Sequence, residues 1–172
     1  MSIQMMAYSR KLSNWDTKAA VRVKPRRIVL QDEESMGKVY FSPELVVAAQ
    51  HPLVLQFGPE AVRDMQVQHL YRYLDFTTQL ELEVINEVSK EIALDKIDVE
   101  LPDVMREDAF KLCTDEAHHA YFSDDIKRQV FGATGLVPDF HGTPRFLRQL
   151  RSLQRDLPLE LNLLSELLFT VV

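Results

Sequence analysis

Beyond residue 41, apolar positions recur three and four apart over long stretches, the spacing of helices that bury one face. Ser42-Pro43-Glu44 sets a capping hydroxyl, a first-turn proline and an acid in the order a helix start prefers. His51-Pro52 is expected to end that segment. Gly58-Pro59-Glu60 opens the next, and no Gly or Pro then occurs up to about Ile97. Such a run, roughly 38 residues, is long for one helix, so a break is predicted at 75–78. Residues 95–103 read as a short acidic connection. Pro102 suits the start of a further helix of about 30 residues, with Gly132 and Gly135 as its stop signals. Thr143-Pro144 repeats the cap-and-proline start, and Pro158 begins or kinks the last segment. Extended structure is hinted at only over 21–30 and 39–41. The pattern predicts an all-α protein of long antiparallel helices, with residues 1–41 as an irregular arm and 42–172 as a helical bundle domain.

Residues 159–172 are strongly apolar and close as Leu-Leu-Phe-Thr-Val-Val, without Gly, Asn, Pro or a basic last turn. Two readings fit: the chain stops inside a buried helix, or an apolar tail swaps into a dimer partner.

Composition narrows the class. With 172 residues, 46% of them hydrophobic and 27% charged, a full core in one domain or a compact pair is expected, and disorder is not. A single cysteine, Cys113, excludes an internal disulfide and suits a cytoplasmic protein. No apolar run is long enough to span a membrane, and the start lacks the apolar stretch of a signal peptide. The net charge of −6 argues against nucleic acid as a partner of the whole molecule. Arg10, Lys11, Lys18, Arg22, Lys24, Arg26 and Arg27 face only Asp16 within the first 30 residues. A basic arm on an acidic body is expected to lie on its own domain or on a partner subunit.

Helical spacing then sorts the charged residues. Glu81 shares its face with Val84, Ile85, Val88 and Ile92, so it continues an apolar stripe. Glu83 instead shares a face with Asn86, Glu87 and Lys90. An inward carboxylate needs a proton, a cationic side chain or a metal. In the following helix Ala109, Leu112 and Cys113 lead to Glu116, and His119, Ala120 and Ser123 continue that face. Glu116 and His119 form Glu-x-x-His, one turn apart and able to reach a single ion. His118 falls with Lys111, Thr114 and Asp125 on a face that reads as solvent. Two glutamates and an imidazole suit Fe(II) or Mn(II). Asp115 precedes Glu116 and is placed to hydrogen-bond a ligand imidazole. Against this stands an ordinary surface Glu–His pair with no ion.

The stretches from Tyr71 to Glu83 (Tyr-Arg-Tyr-Leu-Asp-Phe-Thr-Thr-Gln-Leu-Glu-Leu-Glu) and from Asp115 to Phe122 (Asp-Glu-Ala-His-His-Ala-Tyr-Phe) resemble the ferritin-like di-iron N-oxygenases of the p-aminobenzoate N-oxygenase type. The 35 residues from Glu81 to Glu116 fit that family's first two ligand helices. The resemblance implies a ferritin-like bundle, incomplete at its C-terminus, that binds two iron ions (or manganese). It implies an O2-dependent oxygenation of an aromatic amine, an external electron donor and a homodimer. Glu81 and Glu116 would be carboxylate ligands, His119 an imidazole ligand and Asp115 its hydrogen-bonded support. Tyr73, two turns before Glu81, would line the substrate cavity; a core tyrosine with its hydroxyl bonded elsewhere fits the position equally. The later ligands of the family do not arrive within the 172 residues, so the expected chain is the N-terminal part of such an oxygenase or is completed by a second subunit. Glu166, the acid nearest the end, shares a face with Asn162 and Thr170 and is not assigned as a ligand. No nucleotide-binding G-x-G-x-x-G is present to hold the reductant. The competing expectation is a non-catalytic helical interaction protein that uses the arm or apolar tail to dimerise. Iron storage fits less well, given the basic arm.

Overall fold

Uninterrupted helix-forming sequence between glycine and proline boundaries gives two long helices, Pro59–Leu80 and Asp103–Thr134. The computed structural model describes residues 8–30, 38–97, 100–140, 142–158, 161, 162 and 165. Short turns α1 (Trp15–Lys18) and α2 (Ala20–Val23) lie in the arm, and 3₁₀ turns follow at Pro43–Leu45 and Val47–Gln50. Next come α3 (Pro52–Leu55), α4 (Pro59–Leu80), a π-helical turn (Glu81–Ile85), α5 (Asn86–Ala93), α6 (Asp103–Thr134) and α7 (Arg145–Arg155). The described residues contain no strand, and the protein is all-α.

Several boundaries differ from the sequence pattern. Residues 42–51 make 3₁₀ turns in place of an α-helix; the Ser42 hydroxyl bonds the Glu44 carboxylate and caps nothing. His51-Pro52 starts a helix where a stop was expected, because His51 Nδ1 accepts the Leu53 N–H at 3.2 Å and Pro52 occupies the first turn. No break occurs at 75–78. The Thr78 hydroxyl bonds the Leu74 carbonyl one turn back, at 2.9 Å, which leaves the helix intact. The departure from α-geometry comes one turn later, as the π turn. The hinted extended stretch at 21–30 is helical over Ala20–Val23. The Gly135 stop signal acts as expected: φ is +68°, and its N–H reaches the Phe131 carbonyl at 2.8 Å. Of the apolar end, only Leu161, Asn162 and Ser165 are described, so both readings of 159–172, and Glu166, lie outside the described residues.

The contacts group the chain into two compact units. The first joins residues 1–25, 80–119 and 150–172. In it the arm follows α6 in parallel register. Asp108 accepts the Tyr8 hydroxyl (2.9 Å) and the Lys11 N–H (2.9 Å), and seven residues further Asp115 accepts the Trp15 indole N–H (2.8 Å). The Lys111 ammonium donates to the Leu12 carbonyl (3.3 Å). The second unit joins residues 26–79 and 120–149. Tyr40, Val67, Tyr71 and Val130 form its core, with Leu30, Leu70, Ile126 and Leu136 packed against them. The Tyr71 hydroxyl donates to the Leu136 carbonyl at 2.9 Å. There Arg26 grips Asp125 with two nitrogens, at 2.7 and 2.9 Å.

These contacts correct one assignment. Lys111 and Asp125, placed on a solvent face by periodicity, are buried. The arm covers them: Arg26 pairs with Asp125, and the Leu12 carbonyl accepts from Lys111, whose ionic partners Glu107 and Asp108 lie on its own helix. The basic arm packs on its own chain at Tyr8, Arg10, Lys11, Trp15 and Arg26.

Candidate metal centre

Three side chains of the first unit converge. Glu81 opens the π turn; Glu116 and His119 stand one turn apart on α6. One ligand atom from each lies within 4.8 Å of the others. His119 Nδ1 is 3.0 Å from Glu116 Oε2. Donors bound to one ion at about 2.1 Å lie roughly 3–4 Å apart, so a small side-chain adjustment closes this set around a cation.

The local electrostatics favour that. Glu116 is buried and Glu81 half-buried. Glu81 Oε2 is shielded from water and has no hydrogen-bond partner. Burial pushes the Glu81 carboxyl up from 4.5 to about 8, and the hydrogen bond and negative charge of Glu116 act in the same direction. Two carboxylates pressed together in a dry place need either a shared proton or a cation. The two glutamates and the imidazole make a mixed oxygen–nitrogen set that fits a divalent ion such as Fe(II) or Mn(II). Among the described residues this is the one such cluster, so they supply ligands for one ion.

The backbone explains why Glu81 reaches this place. A π turn inserts an extra residue into the helical ladder and swings the chain before it relative to the chain after it. Val84 and Val88 remain buried below it, as the stripe predicted. Asn86 Nδ2 donates to the Cys113 carbonyl at 3.2 Å and ties this segment to α6. Glu83 turns away from the cluster and pairs with Arg151. Neither the π turn nor the Asn86 tie was found from the sequence; spacing rules built on 3.6 residues per turn do not encode a five-residue step. Burial raises the Cys113 thiol above its usual range, so it stays a neutral apolar neighbour.

The two histidines depart from their expected exposures. His119 stands at the rim with a side chain 55% exposed, whereas His118, assigned to solvent, is half-buried. Asp115 gives its Oδ2 to the Trp15 indole, a partner the sequence reading did not foresee. Tyr73 is 54% exposed in the second unit, with its ring 5.8 Å from that of Phe41. The core tyrosine is its neighbour Tyr71.

The chain matches no family model, no curated protein and no solved structure. No helix among the described residues is long and apolar enough to cross a membrane.

Proposed function

We propose that Glu81, Glu116 and His119 bind a divalent transition-metal ion, and that the protein carries out O2-dependent, di-iron oxygenation of an aromatic amine. The observation that supports this most directly is the buried, partnerless Glu81 Oε2 beside a second carboxylate and an imidazole nitrogen. The choice of oxygenation over other metal chemistry rests on the resemblance of 71–83 and 115–122 to the ferritin-like N-oxygenases. Glu81, Glu116 and His119 would hold one iron, and a second, with ligands from outside the described residues, would complete the pair that supplies O2 reduction, with electrons from an external donor. The chain's own part is more limited. Glu81 and Glu116 neutralise cationic charge and so favour the higher oxidation state, and His119 completes the donor set from the exposed side. The apolar residues Val84 and Val88 keep water from beneath the carboxylates.

Titration of the purified protein with Co(II), followed by its visible ligand-field bands, tests the centre. Wild type is expected to bind with a micromolar or tighter Kd. Glu81→Ala, Glu116→Ala and His119→Ala should each weaken binding at least tenfold, by loss of a ligand. Equal affinity in all four proteins removes the assignment. A second reading, a helical interaction protein that pairs with a second copy of itself, draws on exposed Leu45, Val47, Leu53, Leu55 and Phe57. It gains if wild type binds no metal and its sedimentation shifts to a dimer with concentration.

A further inference from the structure

The single tryptophan of the chain is spent on the residue next to the metal cluster. Trp15 is buried, and Arg22 stacks over its ring at 5.3 Å. A buried indole N–H requires an acceptor, and the one it uses is the carboxylate of Asp115. Asp115 directly precedes Glu116 and lies one turn before His119, so the Asp115 and His119 side chains are neighbours on α6. Helical side chains lean toward the N-terminus, which sends the His119 ring back toward Asp115. His119 Nδ1 faces Glu116, so Nε2–H needs an acceptor of its own once the ring holds an ion. A ligand imidazole commonly donates that second N–H to a carboxylate. Asp115 has a second oxygen for it only if its rotamer is fixed, and the charge-assisted bond from Trp15 supplies that restraint. The indole is itself held in register, because Asp108 fixes the arm at Lys11 and Tyr8 two helical turns earlier.

We infer that Trp15 is a positioning residue of the metal centre, acting through Asp115 on His119, so that docking of the arm and loading of the metal are linked. The inference rests on the metal reading of Glu81, Glu116 and His119. It makes the arm part of the centre, although the arm supplies no ligand.

Co(II) titration of the full chain tests this. Trp15→Phe, which keeps a ring and drops the N–H, is expected to weaken binding about tenfold, and Asp115→Ala by a similar factor. The double variant should be no weaker than Asp115→Ala alone, since both changes break one chain of contacts. Tyr71→Phe, which removes a hydroxyl bond in the other unit, lowers thermal stability and leaves the Co(II) Kd unchanged, so stability loss alone does not mimic the effect. Because Trp15 is the only tryptophan, the sulfur isostere of tryptophan (benzothiophene in place of indole) can be placed there biosynthetically. It preserves shape, removes only the N–H, and should reproduce the tenfold loss even if Trp15→Phe does not fold. Wild-type affinity in the isostere protein, or additive losses in the double variant, overturns the inference and leaves the metal centre standing. Absence of Co(II) binding by wild type overturns both.

Discussion

Replacing Glu81 by Gln is expected to stabilise the metal-free protein at pH 8 while removing its affinity for metal. The folded Glu81 carboxyl titrates near 8 against an ordinary 4.5. Below pH 4.5 the folded and unfolded chains both carry the proton, and the group contributes nothing to pH dependence. Between pH 4.5 and 8 the unfolded chain releases a proton that the folded chain retains, so stability falls as pH rises. Above about 8 the folded carboxyl ionises too, and the loss levels off. Glu81 is only half-buried, so solvent screening reduces the effect to about 1–2 kcal/mol. Glutamine is uncharged at every pH and can donate its amide N–H to Glu116, as the shared proton does. The Tm of metal-free Glu81→Gln at pH 8 should therefore exceed that of wild type by about 3–6 °C, with the gap closing toward pH 4.5. Parallel Tm curves for the two proteins would refute the assignment of a strained, raised carboxyl. A ligand that destabilises its own empty site is the usual signature of a place arranged for function over stability.

How far the sequence revealed this follows from what periodicity can and cannot carry. The inward stripe of Glu81, Val84 and Val88 was legible because a buried helix face repeats locally. Glu116 with His119 was legible as a one-turn pair. The long helix before Gly135 was legible because glycine at positive φ ends helices cheaply. The burial of Lys111 and Asp125 was not, since the segment that covers them lies about a hundred residues earlier. A single helix carries no record of what packs over it. For the same reason a face read as solvated turned out to hold Asp125 under the Arg26 guanidinium and Lys111 under the Leu12 carbonyl. His119 was placed inward by its spacing, but the structure stands it at the rim with Nδ1 on Glu116. The π turn escaped because its sequence, Glu-Leu-Glu-Val-Ile, differs in no obvious way from an ordinary helical turn. It follows the expected break at 75–78 by one turn, at the end of α4.

The arm yields the other large effect, at Asp108. This carboxylate is buried, and it accepts the Tyr8 hydroxyl, the N–H groups of Lys11 and Leu12, and the Lys111 ammonium. Burial alone would raise its pKa. The Lys11 N–H, the Tyr8 hydroxyl and the remaining donors outweigh that and hold it below the usual carboxylate range. Asp108→Ala leaves those donors without an acceptor and leaves the buried Lys111 with only Glu107 as an ionic partner on its helix, at 3.2 Å. The expected cost is about 3 kcal/mol, a fall in Tm of roughly 6–12 °C. Asp108→Asn should lose less, because its amide oxygen still accepts from Tyr8 and Lys11 while the charge opposite Lys111 is gone. Since the folded carboxyl titrates below its unfolded value, the charge contribution is present above pH 4 and is lost as pH falls further. The Tm difference between wild type and Asp108→Asn should therefore narrow below pH 4. Limited proteolysis supplies the structural readout: in Asp108→Ala the peptide bonds around Arg10 and Lys11 become trypsin-sensitive before α6 does. A Tm change under about 2 °C, with the arm as resistant as in wild type, would show that Asp108 does not anchor it. The arm would then be held in this unit by Trp15 on Asp115, by Lys111 on the Leu12 carbonyl and by Arg10 on Glu107, with the first of these the one that reaches the metal cluster.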